Sequence, residues 1–158
     1  MRIVVYADGS RKPEGGVVYG YIVTSNDNWV HYERNELHGG TANMAEYAAC
    51  AAALSWILTH CGGDEVELRI DSELLYNHVR GTSRSRSKNL VPWLKIITTL
   101  ISNMSGVGIT LTIKKIPSST NLAHRVVSAV PGSEDTASEL ADRESSVNES
   151  EFSDHHYW

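Results

Sequence analysis

The 158-residue chain predicts an α/β sandwich built on a mixed five-stranded sheet. Two observations carry this. Three β-rich runs follow one another through short turns, and the rest of the body alternates helical periodicity with two further β-runs. A crossover helix between the first and fourth strands requires them to run parallel, whereas tight turns make the first three antiparallel.

The elements follow in order. RIVVYADGS (2–10) is a β-run ending in a turn dipeptide, GGVVYGYIVTS (15–25) is a second strand, and NWVHYERNEL (28–37) is a third with partial alternation. The links Arg11 to Gly15 and Asn26-Asp27-Asn28 are short and turn-rich, as hairpins need. A helix is expected from about Thr41 to His60, with Met44, Tyr47, Ala48, Ala51, Leu54, Ser55 and Leu58 as its buried stripe, and Cys61-Gly62-Gly63 as its end. DEVELRI (64–70) is a strand with Val66, Leu68 and Ile70 on one face, and SELLYNHV (72–79) is a short helix stopped at Gly81. TSRSRSK (82–88) is a basic loop whose Arg84, Arg86 and Lys88 are either phosphate contacts or solvated charges. NLVPWLKIITTLISNM (89–104) is a helix with Pro92 in its first turn, and VGITLTIKKI (107–116) is the fifth strand. Pro117 to Thr120 is a turn, and Asn121 to Val130 a last short helix. Trp56 and Trp93 fall on apolar helix faces and are expected in the core.

Composition sets bounds. A hydrophobic content of 41% suffices for one core, and no apolar run approaches the ~20 residues of a membrane span. Arg2-IVVYA reads as a strand and not as a leader peptide, so a cytoplasmic monomer without membrane contact is expected. Cys50 and Cys61 offer neither a disulfide framework nor a metal pattern. The net charge of −5 is uneven: residues 131–158 hold eight acids and one base, leaving 13 bases and 11 acids in 1–130. Hence two regions are expected, a folded domain over 1–130 and an acidic tail or appendage over 131–158. The acidic tail argues against indiscriminate polyanion binding by the whole chain.

Three acids stand where stability alone would not choose them. Asp8 and Asp71 close strands one and four at one sheet edge, where open α/β sheets carry their sites. Glu46 lies early in the crossover helix between those strands. Three converging carboxylates repel one another, and a hard cation with oxygen ligands, Mg²⁺ or Mn²⁺, resolves the conflict. Each acid also has a local alternative. Glu46 fits the third position of a capping box begun at Asn43, Asp8 an Asx turn with Gly9-Ser10, and Asp71 an N-cap of the helix from Ser72.

YADGS (6–10), TANMAEY (41–47) and IDSELLYN (70–77), in this order and at these intervals, resemble type 1 ribonuclease H, as does KNLVPWL (88–94). The resemblance spans residues 1 to about 127. It implies a ribonuclease H-like fold and a metal-dependent endoribonuclease that cleaves the RNA strand of RNA–DNA hybrids with two metal ions. It also implies Asp8, Glu46 and Asp71 as metal ligands, Thr41 as a contact to a DNA phosphate, and Gly9, Ser10, Asn43 and Ser72 as contacts near the RNA strand. One position departs from the family. Its fourth acid follows a pattern close to Asn-x-x-Ala-Asp, and here Asn121-Leu-Ala is followed by His124. Either His124 serves as the fourth ligand, which predicts a Mn²⁺ preference, or Asp142 of the tail substitutes, or the site is degenerate and the protein only binds hybrid or double-stranded RNA. A superfamily nuclease with another nucleic-acid substrate is the remaining alternative.

Overall fold

The computed structural model describes residues 2–81 and 87–128. The expected domain boundary near 130, the tail with Asp142, and the loop residues Arg84 and Arg86 lie outside them.

Strand β1 (Arg2–Arg11) pairs antiparallel with β2 (Val17–Ser25), which pairs antiparallel with β3 (Asn28–Leu37). Asn26 and Asp27 both take positive φ, 51° and 67°. Such angles let a two-residue loop follow the right-handed twist of the strands, and Asn and Asp tolerate them best among residues with a side chain. After helix α1 (Ala42–His60) the chain enters β4 (Glu65–Ile70), parallel to β1, then passes through α2 (Glu73–Val79) and α3 (Val91–Met104). Strand β5 (Thr110–Lys115) runs parallel to β4, and α4 (Ala123–Val127) follows. The sheet order is β3-β2-β1-β4-β5, the mixed sheet that the sequence predicts.

Alternation along β1 divides the molecule into layers. Ile3, Val5 and Ala7 join the main core with α1, while Val4 and Tyr6 pack against Ala123 of α4 on the opposite face. Val66, Leu68 and Ile70 also face the main core, as expected. One expectation is corrected. The stripe assigned to α1 includes Ser55, which is exposed, whereas Ala49, Cys50, Ala53, Trp56 and Ile57 outside that stripe are buried. Sheet, α2 and α3 enclose this helix on several sides, and its alanines let them approach, so no single stripe describes it. Leu54 and Ile57 are fully buried, worth about 1.5–3 kcal/mol each. Trp56 is in the core, between the rings of His31 and His60 at 5.3 and 4.5 Å, and Trp93 is half-buried against it. Both cysteines are buried and unpaired. Among the described residues no helix is long and apolar enough to cross a membrane.

Candidate active site

Parallel pairing fixes the first two carboxylates. The β1–β4 register runs from Arg2 opposite Glu65 to Tyr6 opposite Arg69. Carried two residues on, it sets Asp8 level with Asp71 at one sheet edge. Asp8 is buried, and its Oδ1 accepts the Gly9 amide at 2.9 Å. That bond goes to the next amide and not to that of Ser10, so it is not the Asx turn the sequence suggests, and it leaves Oδ2 for other work.

Glu46 reaches this edge because β1 and α1 touch backbone to backbone. A Cβ on Gly9 would stand 2.6 Å from the Glu46 amide nitrogen and closer still to the Ala45 carbonyl. Only a residue without a side chain permits that approach. Asp8, Glu46 and Asp71 then each offer an oxygen, and the three oxygens lie within 4.8 Å of one another.

The local capping alternatives do not hold. Thr41, not Asn43, caps α1: its hydroxyl accepts the Met44 amide at 3.1 Å, and the first turn holds no acid. Glu46 is therefore two residues too deep for the acid of a capping box. Ser72, not Asp71, caps α2, accepting the Leu75 amide at 3.1 Å. Both acids are thus released from helix-end duty.

Burial and mutual repulsion set the electrostatics. Glu46 is pushed up to about 10, first by burial and then by the charges of Asp8 and Asp71. Asp8 is also raised, by burial first and Asp71 second, while hydrogen bonds from Glu46 and the Gly9 amide and the nearby His124 oppose the rise. Each of the two carboxyls therefore resists ionising while its neighbours are charged. A divalent cation fits this donor set. It would take hard oxygen ligands from three elements and offset charge that no Lys or Arg offsets among the described groups acting on Asp8 and Glu46.

His124, at the second residue of α4, is exposed and places Nδ1 3.4 Å from Asp8 Oδ2. The structure thus brings His124 to Asp8, at the border of the carboxylate trio. The predicted substrate contacts fall around the same edge. Thr41 and Asn43 are exposed at the start of α1, Ser10 is half-exposed at the end of β1, Ser72 is half-buried at the start of α2, and Gly9 is buried against α1.

Sequence reasoning missed Asn121. Its side chain is buried, and its Nδ2 donates to the Ala7 carbonyl at 2.9 Å and to Asp71 Oδ2 at 3.0 Å. Its Oδ1 accepts the Ala123 amide at 3.1 Å. One amide group therefore ties together the strand before Asp8, the Asp71 carboxylate and the helix that carries His124. The signal was the Asn of the family pattern, hidden by a spacing one residue shorter than that pattern. Asn121→Ala should lower stability by about 1–3 kcal/mol, the cost of orphaning buried partners. It should also raise the Mg²⁺ concentration for half-maximal activity roughly 10–100-fold. Metal titration beside thermal unfolding measures both, and an unchanged metal midpoint would remove the link to Asp71.

The reverse transcriptase-like family model matches residues 7–124, a stretch that runs from β1 to His124. The chain belongs to this family. Its fold is also that of solved ribonucleases H. The N-terminal ribonuclease H domain of a Mycobacterium tuberculosis protein superposes with a TM-score of 0.69 at 20% identity, covering 93% of this chain and 98% of that one. Ribonuclease H1 from the archaeon Halobacterium salinarum gives 0.68 at 26% identity, covering 80% and 94%. A ribonuclease H1 isolated from compost, solved with an RNA/DNA hybrid, gives 0.65 at 26% identity, covering 75% and 88%. No curated protein matches the sequence. The resemblance to type 1 ribonuclease H is thus borne out, and with it the enzyme class.

Proposed function

We propose that this reverse transcriptase-like family member is a metal-dependent endonuclease that cuts the RNA strand of RNA–DNA hybrids. The observation that carries the reading is the convergence of Asp8, Glu46 and Asp71 from β1, α1 and the end of β4, with oxygens within 4.8 Å. The hybrid-bound relative at 26% identity supports the substrate class.

Two Mg²⁺ or Mn²⁺ ions would supply an activated water and charge stabilisation at the leaving oxygen. Asp8, whose carboxylate faces both Glu46 and His124, would hold the ions together with Glu46, Asp71 and His124. Nitrogen from imidazole suits Mn²⁺ better than Mg²⁺, so Mn²⁺ should give the faster cleavage. Thr41 and Ser72 use their hydroxyl lone pairs as caps and keep an O–H to donate to a strand backbone, and Ser10 and Asn43 flank the edge. Residues 1–130 make up the catalytic region, and 131–158 an appendage.

A labelled RNA–DNA hybrid incubated with each metal tests this, with wild type beside Asp8→Asn and His124→Ala. Internal RNA cuts are expected from wild type and none from Asp8→Asn. His124→Ala should lose about 10²-fold in rate and its Mn²⁺ advantage. Binding without cuts would mean a recognition module, and DNA or end-dependent cleavage another nuclease. Full activity in His124→Ala would remove the role given to that side chain.

A further inference from the structure

Asp8 and Asp71 stand past the end of the ladder that aligns their strands. Tyr6 opposite Arg69 is the last pair of that ladder, and each acid follows its member of the pair by two residues. Side chains alternate between faces along a strand, so Tyr6 and Asp8 share one face of β1. The separation of the two carboxylates therefore depends on how firmly this last pair is held.

More than backbone holds it. Arg69 Nη1 donates to the Tyr6 hydroxyl at 2.6 Å, and Arg69 Nε donates to Glu67 Oε2 at 2.5 Å. The guanidinium carbon lies 5.3 Å from the centre of the Tyr6 ring, within range of a cation–π contact. Glu67 in turn lies 3.7 Å from Lys114 Nζ on β5. Tyr6 is buried, with its ring in a cluster that includes Val4 and Ala123, so the residue before His124 rests on it. One tyrosine thus reaches β4 through its hydroxyl and α4 through its ring. A planar fork of N–H groups spans Tyr6 and Glu67 at once, and an ammonium on a flexible stem does not reproduce that span.

We propose that Tyr6 and Arg69 are positioning residues for the metal centre: the bond between them, braced by Glu67, fixes the separation of Asp8 and Asp71. Their role rests on the reading of Asp8, Glu46 and Asp71 as a divalent-cation site. It is distinct from that of Asn121, which holds Asp71 from the α4 side.

Mn²⁺ binding to the full chain, followed by electron paramagnetic resonance, tests this beside thermal unfolding in a chelator. Tyr6→Phe keeps the ring in its cluster and removes only the hydroxyl. It should weaken the Mn²⁺ midpoint about tenfold. The KM for a hybrid, read at saturating metal, should stay at the wild-type value, because a buried hydroxyl meets no substrate. Arg69→Lys keeps the charge and loses the fork, whereas Arg69→Gln loses both. The two should weaken metal binding by similar factors. Adding Arg69→Gln to Tyr6→Phe should then change the midpoint little further, since both substitutions remove one bond. A Tyr6→Phe protein that unfolds earlier yet keeps the wild-type Mn²⁺ midpoint would reduce the pair to a sheet contact and overturn the positioning role. A wild-type midpoint in Arg69→Lys beside a weakened one in Arg69→Gln would assign the effect to charge, and would overturn it as well. Absence of Mn²⁺ binding by wild type would overturn the metal-site reading itself, and the positioning role with it.

Discussion

Glu46→Gln should leave the enzyme inactive and make the metal-free protein more stable. The sign follows from proton linkage. In the unfolded chain Glu46 titrates near the ordinary glutamate value of 4.5, whereas the folded site pushes it up to about 10. Between these values the folded state holds a proton that the unfolded state has released, so stability falls as pH rises through that window. The full shift would weaken the fold at pH 7 by roughly 3 kcal/mol. Glu46 is partly exposed and its ionisation is coupled to Asp8 and Asp71, so about 1–2 kcal/mol is the expected gain on removing the charge. That gain corresponds to roughly 3–6 °C in unfolding temperature. Thermal unfolding in a chelator, from pH 5 to pH 8, should show wild type losing stability relative to Glu46→Gln as pH climbs. Added Mg²⁺ should then stabilise wild type, because it binds only the folded site, and leave the variant nearly unmoved. Cleavage by the variant should drop by on the order of 10²–10³-fold or more. Parallel stability curves across that pH range would show that Glu46 carries no such strain.

Such a trade-off is what a binding site poised for a cation implies. The carboxylates are held together by elements whose own stability has other sources: the α1 core around Leu54 and Ile57, the β1–β4 ladder, and the caps at Thr41 and Ser72. None of these needs the acids. The site therefore concentrates repulsion that the rest of the fold offsets, and a bound metal relieves it.

The same separation explains what could be seen in the sequence. Strand ends, tight turns and helix lengths depend on neighbours within a few residues, so β3 was delimited to the residue and Asp8 and Asp71 were placed at one edge. Which residue caps a helix depends on a local choice between near equivalents. Thr41 and Ser72 took that role in place of Asn43 and Asp71, and periodicity alone does not rank them. Burial on all sides of α1 depends on what packs around it, and no stripe in a single helix records that. Asn121 was out of reach for the same reason. Its partners Ala7 and Asp71 are 114 and 50 residues away along the chain, and only the closed sheet brings them within 3.0 Å.

Gly9→Ala should damage both the fold and the reaction, through a contact no local rule anticipates. At Gly9 the added methyl meets main-chain atoms of Ala45 and Glu46, which cannot rotate away as a side-chain tip can. Helix α1 would have to move off β1, or β1 would have to bend. Overpacking of this kind costs about 1–3 kcal/mol. The displaced segment is the turn of α1 that carries Glu46, so the carboxylate should retreat from Asp8, and a shift of about 1 Å in a reacting group costs on the order of 10²-fold in rate. Gly106→Ala is the control, because a Cβ there meets nothing within 4 Å. It should unfold and, in cleavage, behave as wild type. Three measurements separate the cause. Unfolding temperature reads the packing cost, and the half-saturating Mg²⁺ concentration reads the opened ligand set. Adding Ala45→Gly to Gly9→Ala reads the nature of the clash, since trimming a side chain cannot relieve a contact made by backbone. Full rescue by Ala45→Gly would place the contact in the side chain instead. Wild-type activity in Gly9→Ala would mean that β1 and α1 can separate without parting Asp8 from Glu46, and the site would then owe its geometry to something other than their close approach.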